Sequence, residues 1–457
     1  MNTDNLINTN TMKKICYSII ICLLSSSQIL SQPTKLYSKH EIVKDINFLI
    51  EDIEKIHPEP YHSVEKTDFL EIIEDLKNQI PDSISKIDAW RKFYPILALL
   101  KEGHSYFYPP VEEIGDFLRF PYTIKIDKAL NNFIISGSLI DSLQAPIGNR
   151  IISINGISTD SLITIFKKST SAENEALFIF MNELHFDISM YAIFNSPEYF
   201  DIEYLLGDKV ERYRCRSINK IPDKIVPNFT FSIIHDSIGL IDMNRMNSLR
   251  DFKKFCKSTF KSLNNNKISN LIIDFRGNSG GDSQIGDELI KYLSDVPFIQ
   301  YQKAIVKVSS ISREQFHYPS EKDTLLESEL AGSTIYLIEP YPEKLRYSGN
   351  IFVLIDGGTF SSAGSTVWCI KHYNIAFTIG KETGGTGVHY GYPIKRNLPN
   401  TGLTYYISHM KWYQIGADEK SIYGLIPDYK IDLSIEDIKN NRDSALEFAL
   451  DLIKHGE

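Results

Sequence analysis

Residues 41–56 read EIVKDINFLIEDIEKI, and Ile42, Ile46, Leu49, Ile50, Ile53 and Ile56 recur at helical spacing on one face. His57-Pro58 ends that helix, because the residue before a proline is pushed out of the α region. The pattern predicts two more helices, over residues 69–79 and 87–101, with Gly103 placed as a left-handed C-cap. Residues 36–115 therefore read as a helical module that carries His104 just beyond its last helix. From 118 to 216 the texture changes to short apolar runs between turns (FPYTIKI, NFIISG, NRIISINGIS), and Asn155-Gly156 between apolar residues predicts a hairpin. A proline-marked stretch (Pro222, Pro227) leads into residues 228–457. There, buried strands at 271–275, 351–355 and 376–380 alternate with amphipathic segments, and residues 434–454 close the chain as one or two helices. The expected fold is multidomain α+β: a helical module, a β-rich domain and an α/β core.

A composition of 42% hydrophobic and 23% charged residues fits a globular chain rather than a disordered or fibrous one. The formal net charge of −9 argues against nucleic acid or an anionic membrane surface as partner. Near the N-terminus, Lys13 and Lys14 precede a mostly apolar run over 15–24 and then small serines. This is the layout of a secretory signal peptide over residues 1–31, with Met12 as an alternative start, and the run is too short to span a bilayer. An exported protein is expected, with no stable membrane span once the signal is removed. Beyond the signal only Cys215, Cys256 and Cys369 remain. They form neither a disulfide framework nor a zinc motif, and no metal or cofactor is expected.

Two stretches carry chemistry. In IFVLIDGGTFSSAGSTVWCIKHYNIAFTIGKETGGTG (351–387), a buried strand runs through Asp356-Gly357-Gly358 to Ser361 and Ser362 at the start of a helix. The free N–H groups of a first helical turn favour negative charge, so a serine there can serve as a nucleophile, with the Ser362 N–H as oxyanion donor. Equally, it can be a simple N-cap. DFRGNSGGD (274–282) also follows a strand, and its glycines open backbone N–H groups to a ligand. It lacks the Gly-Lys-Ser/Thr of a phosphate loop and the spacing of a dinucleotide fingerprint. A tight turn with Arg276 in a structural ion pair is the other reading.

Together, DFRGNSGGD, LIDGGTFSSAG and TIGKETGG, with LLKEGHSYF before them and GLIPDYKIDLSIEDI after, resemble one group of serine peptidases. It includes the C-terminal processing (tail-specific) proteases, the tricorn protease core and the interphotoreceptor retinoid-binding protein repeats. The resemblance implies a PDZ-like domain over 118–216, a ClpP/crotonase-like α/β core over 228–457, and polypeptide substrates. It implies Ser361 as nucleophile, with Gly281 (or its neighbour Gly280) and Ser362 as oxyanion donors. Gly364 stands where the family usually has Glu, and Thr386 where one branch has its catalytic lysine; Lys381 is not accepted as a substitute. The other, tricorn-like branch uses a histidine before the PDZ-like domain, which corresponds to His104 in Leu100-Lys101-Glu102-Gly103-His104-Ser105. An imidazole suits proton transfer from a serine hydroxyl. In that branch a glutamate from the rear of the core orients the histidine, which implies Glu419 or, second, Asp418; Asp428 is expected to be structural. Arg276 and Glu382 are expected to shape the core, and the PDZ-like domain to take a chain end by strand addition.

Two rivals stand beside the peptidase. One is a weakly active or inactive ligand- or peptide-binding protein on the same scaffold, suggested by the Gly364 departure. The other is an α/β-hydrolase esterase using Ser362 and the late His455.

Overall fold

The computed structural model describes residues 35–110, 117–127, 131–140, 146–219, 225–235, 237–318, 320–327 and 335–456. The expected signal segment lies outside the described residues. The chain starts with β1 (Leu36–Ser38) and α1 (Lys39–Ile56). A capping box fixes the helix start: Ser38 Oγ accepts the Glu41 N–H, and the Glu41 carboxylate accepts the Ser38 N–H. Ile42, Ile46, Leu49, Ile53 and Ile56 are fully buried, as the periodicity predicts. Next come α2 (Lys66–Asn78), β2 (Ser83–Ser85), which pairs with β1, and α3 (Lys86–Ala98).

The third helix ends earlier than its pattern predicts, at Ala98, and the left-handed residue beyond it is Lys101 (φ 46°), not Gly103. Gly103 is needed for a different reason. A Cβ there would lie 2.7 Å from both Leu177 and the Phe360 ring, so only glycine lets the backbone pass this close to the segment before Ser361. After β3 (Tyr106–Phe107), the helices share one hydrophobic core with Ile394, Leu398, Leu403, Tyr405 and Ile407 of the rear unit. Two buried carboxylates fasten the same contact. Asp45 accepts from Asn400 N and Thr401 N, each at 2.9 Å, while Asp52 accepts from Arg396 Nε at 2.8 Å and from the Tyr405 hydroxyl.

The middle unit contains β4 (Tyr122–Asp127), β5 (Asn132–Ser138), β6 (Arg150–Ile154), β7 (Ile157–Ser158), α4 (Thr159–Ser169), α5 (Glu175–Leu184), α6 (Phe186–Phe194), β8 (Tyr199–Leu206) and β9 (Lys209–Arg216). Its antiparallel sheet runs β4-β5-β6-β8-β9, with β7 paired to β6. Asn155 and Gly156 both take positive φ (48° and 78°), as a two-residue hairpin turn requires. The three helices between β7 and β8 are more than the β-rich reading anticipated. Ser158 and Asn174 start α4 and α5 by accepting the N–H groups of Ser161 and Leu177.

The rear unit continues with β10 (Phe229–Ile234), β11 (Ile238–Met243), α7 (Leu249–Asn265), β12 (Asn270–Asp274), α8 (Ser283–Leu293), β13 (Tyr301–Val308), α9 (Ser310–Gln315), β14 (Thr324–Glu327), β15 (Asn350–Ile355), α10 (Ser362–His372), β16 (Phe377–Gly380), β17 (Val388–Asn397), β18 (Thr404–Gln414), β19 (Tyr429–Lys430), α11 (Ile435–Asn440) and α12 (Ser444–His455). Its main sheet runs β10-β11-β12-β15-β16-β19, parallel except at β10. Alternate side chains face opposite layers: Ile273, Val353 and Ile355 pack with α7, α8 and α10, whereas Ile272, Phe352 and Leu354 pack with α12. A second sheet, β14-β13-β18-β17, is antiparallel, and β3 from the front of the chain pairs with β18 through Tyr106 and Phe107. This pairing, followed backwards along the chain, delivers His104. Among the described residues, no single helix is long and apolar enough to cross a membrane.

Candidate active site

Two turns that leave neighbouring parallel strands, β12 and β15, are tied to each other. Asp356 Oδ1 accepts the N–H groups of Gly277 and Gly358, both at 2.8 Å. Thr359 Oγ1 donates to the Phe275 carbonyl at 2.9 Å, and Phe360 N donates to the Asn278 carbonyl at 3.0 Å. The glycine-rich turn is fixed in turn by Asn278, whose side chain accepts from Gly280 N at 2.9 Å and donates to the Met243 carbonyl at 2.6 Å.

Ser361 follows Phe360 and precedes α10. Its backbone is strained (φ 52°, ψ −129°), a conformation a non-glycine residue adopts only where its surroundings enforce it. The side chain makes no capping hydrogen bond to α10, so the N-cap reading does not hold. Instead Ser361 Oγ lies 2.9 Å from His104 Nε2, across 257 residues of chain. The His104 ring stacks on Phe360, with centroids 4.6 Å apart, and on its other side approaches Gly391 of β17, where a Cβ would lie 3.6 Å from the ring. Burial holds the imidazole down at about 3; nearby His389 acts in the same sense and the Tyr390 main chain opposes it. The ring is therefore neutral at ordinary pH, with one nitrogen free to accept a proton.

The acidic residue expected beside this histidine is elsewhere. Glu419 accepts from Lys411 Nζ at 2.6 Å and Tyr413 OH at 3.0 Å, contacts that keep its carboxyl below the usual range. Asp418 accepts the Lys420 N–H. Neither is hydrogen-bonded to His104; the β18 lysine, Lys411, holds the exposed Glu419 carboxylate. The carboxylates that do lie near are those of Glu102 and Glu173. Glu102 Oε2 accepts the His104 N–H at 2.8 Å and the Ser408 hydroxyl at 3.1 Å, which clamps the loop carrying the imidazole. Glu102 was in view within LLKEGHSYF. Glu173, in the loop between α4 and α5, carried no signal, since only folding brings it to the turn after β16, where it accepts from Thr386 N at 3.3 Å.

The remaining candidates have ordinary partners. Ser362 Oγ donates to the Gly281 carbonyl at 2.7 Å, and His455 lies exposed at the end of α12 beside Asp451, so no Ser362–His455 pair forms. Arg276 joins Asp274 and Asp443. Glu382 accepts from Asn174 and Gly424, and Asp428 from Thr378 and Lys371. Gly364 has room: a Cβ there would meet nothing closer than the Thr359 carbonyl at 3.4 Å, so the absent glutamate is not excluded by crowding. Gly280 has none. At φ 93°, its Cβ would stand 2.8 Å from both Ser361 Cβ and Ser362 N. Gly280→Ala is expected to displace Ser361 and lower kcat by about 10²-fold, the scale of misplacing a reacting group by about 1 Å. Steady-state kinetics on a peptide would check this, and an unchanged kcat would place the reaction away from this turn.

Comparison with known proteins relates the rear unit to a family. Residues 237–431 match the profile described as Peptidase family S41. No curated protein matches the chain in a sequence search. Among solved structures, mature CPAF complexed with lactacystin superposes with a TM-score of 0.67 at 14% identity, over 91% of this chain and 97% of that one. The photosystem II D1 C-terminal processing protease gives 0.46 at 12% identity (89% and 98% covered), and the tricorn protease 0.41 at 14% (91% and 36% covered). The first of these likenesses extends the shared fold beyond the matched unit to nearly the whole chain. With the family profile lying over the unit that bears Ser361, residues 237–431 form a peptidase family S41 domain, and the activity that domain supports is that of a serine-type peptidase.

Proposed function

We propose that the protein is an exported, tail-specific endopeptidase that cuts unfolded or C-terminal polypeptide segments through a Ser361 acyl-enzyme with His104 as base. The observation that carries this reading is the 2.9 Å approach of His104 Nε2 to Ser361 Oγ. Ser361 Oγ donates its proton to the neutral Nε2 as it attacks the scissile carbonyl. The tetrahedral oxyanion takes hydrogen bonds from the N–H groups of Ser362 and Gly281. Gly280 is the weaker choice, since its N–H is already held by Asn278. The imidazolium returns the proton to the leaving amine, and water hydrolyses the ester by the same steps in reverse order. Glu102, which accepts the main-chain N–H of His104, holds the loop that carries the ring. The basic-then-apolar pattern at 13–24 supports export.

A fluorophosphonate reagent tests the nucleophile. Labelling is expected on Ser361 of the folded chain, and labelling of Ser362 or of neither serine would overturn the assignment. Glu419→Gln is expected to leave kcat/KM within about twofold of the parent, the range of ordinary surface substitutions. A hundredfold loss, by contrast, would restore Glu419 as the orienting acid.

A further inference from the structure

Next to the Ser361–His104 pair is a group of ligand-type side chains that peptide hydrolysis leaves partly unused. Glu102, His104 and Glu173 each present one ligand atom within 4.8 Å of the others. Glu102 is fully buried, and its Oε1 has no hydrogen-bond partner; His104 Nδ1 and Glu173 Oε1 are likewise buried and unpartnered. Among the described residues, no lysine or arginine pairs with either carboxylate. His57 also faces Glu102, with Nε2 3.8 Å from Oε1. His57 Nδ1 accepts the Glu59 N–H at 3.1 Å, and burial keeps the ring neutral, so it brings no charge. A buried carboxylate beside a second one whose Oε1 is also shut off from water is costly without a cation. Such a set calls either for protons or for a cation.

We propose that Glu102, His104 and Glu173 bind a divalent transition cation of the zinc class, and that its binding reversibly switches off the peptidase. Two carboxylate oxygens and an imidazole nitrogen are a donor set suited to zinc, whereas calcium and magnesium prefer oxygen alone. The effect on catalysis is the same whichever ring nitrogen coordinates. A metal on Nε2 occupies the lone pair that would take the Ser361 proton. A metal on Nδ1 of the neutral ring leaves the ring proton on Nε2, which then cannot accept another. This inhibition rests on His104 being the base; the binding itself does not.

The test separates the two. Full-length Ser361→Ala protein is titrated with zinc chloride by calorimetry, beside the same protein carrying Glu173→Gln. One zinc per chain is expected, with affinity at least about tenfold weaker in the Glu173→Gln protein, the scale of losing a ligand or its support. No stoichiometric binding, or equal binding in both, overturns the proposal. If the Glu173→Gln protein does not fold, cobalt(II) added to Ser361→Ala protein decides. Visible bands of a low-coordinate nitrogen-bearing site are expected, and the featureless spectrum of aqueous cobalt overturns it. In the parent enzyme, zinc should stop hydrolysis over the concentrations at which it binds, and a chelator should restore it. Zinc binding by a protein that never hydrolyses peptide would count against the proposed function alone, and metal-free hydrolysis untouched by bound zinc against the switch alone.

Discussion

Ser361→Ala is expected to lower hydrolysis of an unfolded polypeptide by about 10⁴-fold or more while the protein stays folded. The size follows from the chemistry: without Oγ no acyl-enzyme forms, and only residual stabilisation of the transition state by backbone donors is left. The folded state should survive because the Ser361 side chain caps no helix and its hydroxyl is partnered by the His104 ring. Alanine is no worse suited than serine to φ 52°. Release of peptides from a denatured protein, measured beside circular dichroism of the same sample, would check both halves. Hydrolysis at the parent rate in a properly folded variant would remove Ser361 from the mechanism.

His104→Ala should cost a similar factor, and the double variant Ser361→Ala/His104→Ala should be little worse than either single one, because residues that act as a unit are not additive. Independent, multiplying losses would show that the two side chains do not cooperate. The pH dependence adds a second criterion. Burial holds the folded His104 at about 3, against an ordinary value near 6.5, so the ring stays unprotonated as pH falls through 6.5. The acid limb of kcat/KM should therefore lie well below 6.5, and a limb at or above it would mean that the base is not this imidazole.

Stability has its own sign. The unfolded chain takes up a proton near 6.5 and the folded chain only near 3, so the neutral ring favours folding above 6.5, and this contribution is lost as pH falls from there. His389 and His409, both held at about 4 mainly by burial, act in the same direction. Glu102 and Glu173, raised in the folded state, act in the opposite one. Urea denaturation at about pH 7 and about pH 5 would show the lower midpoint at the lower pH.

The sequence was most informative where local rules act alone. The isoleucine stripe of α1, the Asn155-Gly156 turn and the buried parallel strands were legible because periodicity and turn chemistry need no distant partner. Ser361 and His104 could be picked out by motif, but whether they meet depends on β3 pairing with β18, which no local pattern encodes. The acid was misread for a related reason. Glu419 lies in a stretch where spacing alone cannot say which cation will claim it, and Lys411 does so. Glu173 becomes relevant only when the loop after α4 folds against the turn after β16. Gly103 shows the converse: its type was rightly singled out, but the constraint on it is steric contact with Phe360 and not helix termination.

The shared core between the front helices and strands β17 and β18 has a temporal implication. His104 is synthesised early and Ser361 late, and the apolar surface that joins them includes Leu403, Tyr405 and Ile407, made later still. A nascent or truncated chain lacking those residues holds His104 without the surface that brings it to Ser361. The approach of His104 to Ser361 thus arrives only with the closing third of the polypeptide, and with it any chemistry that needs both side chains.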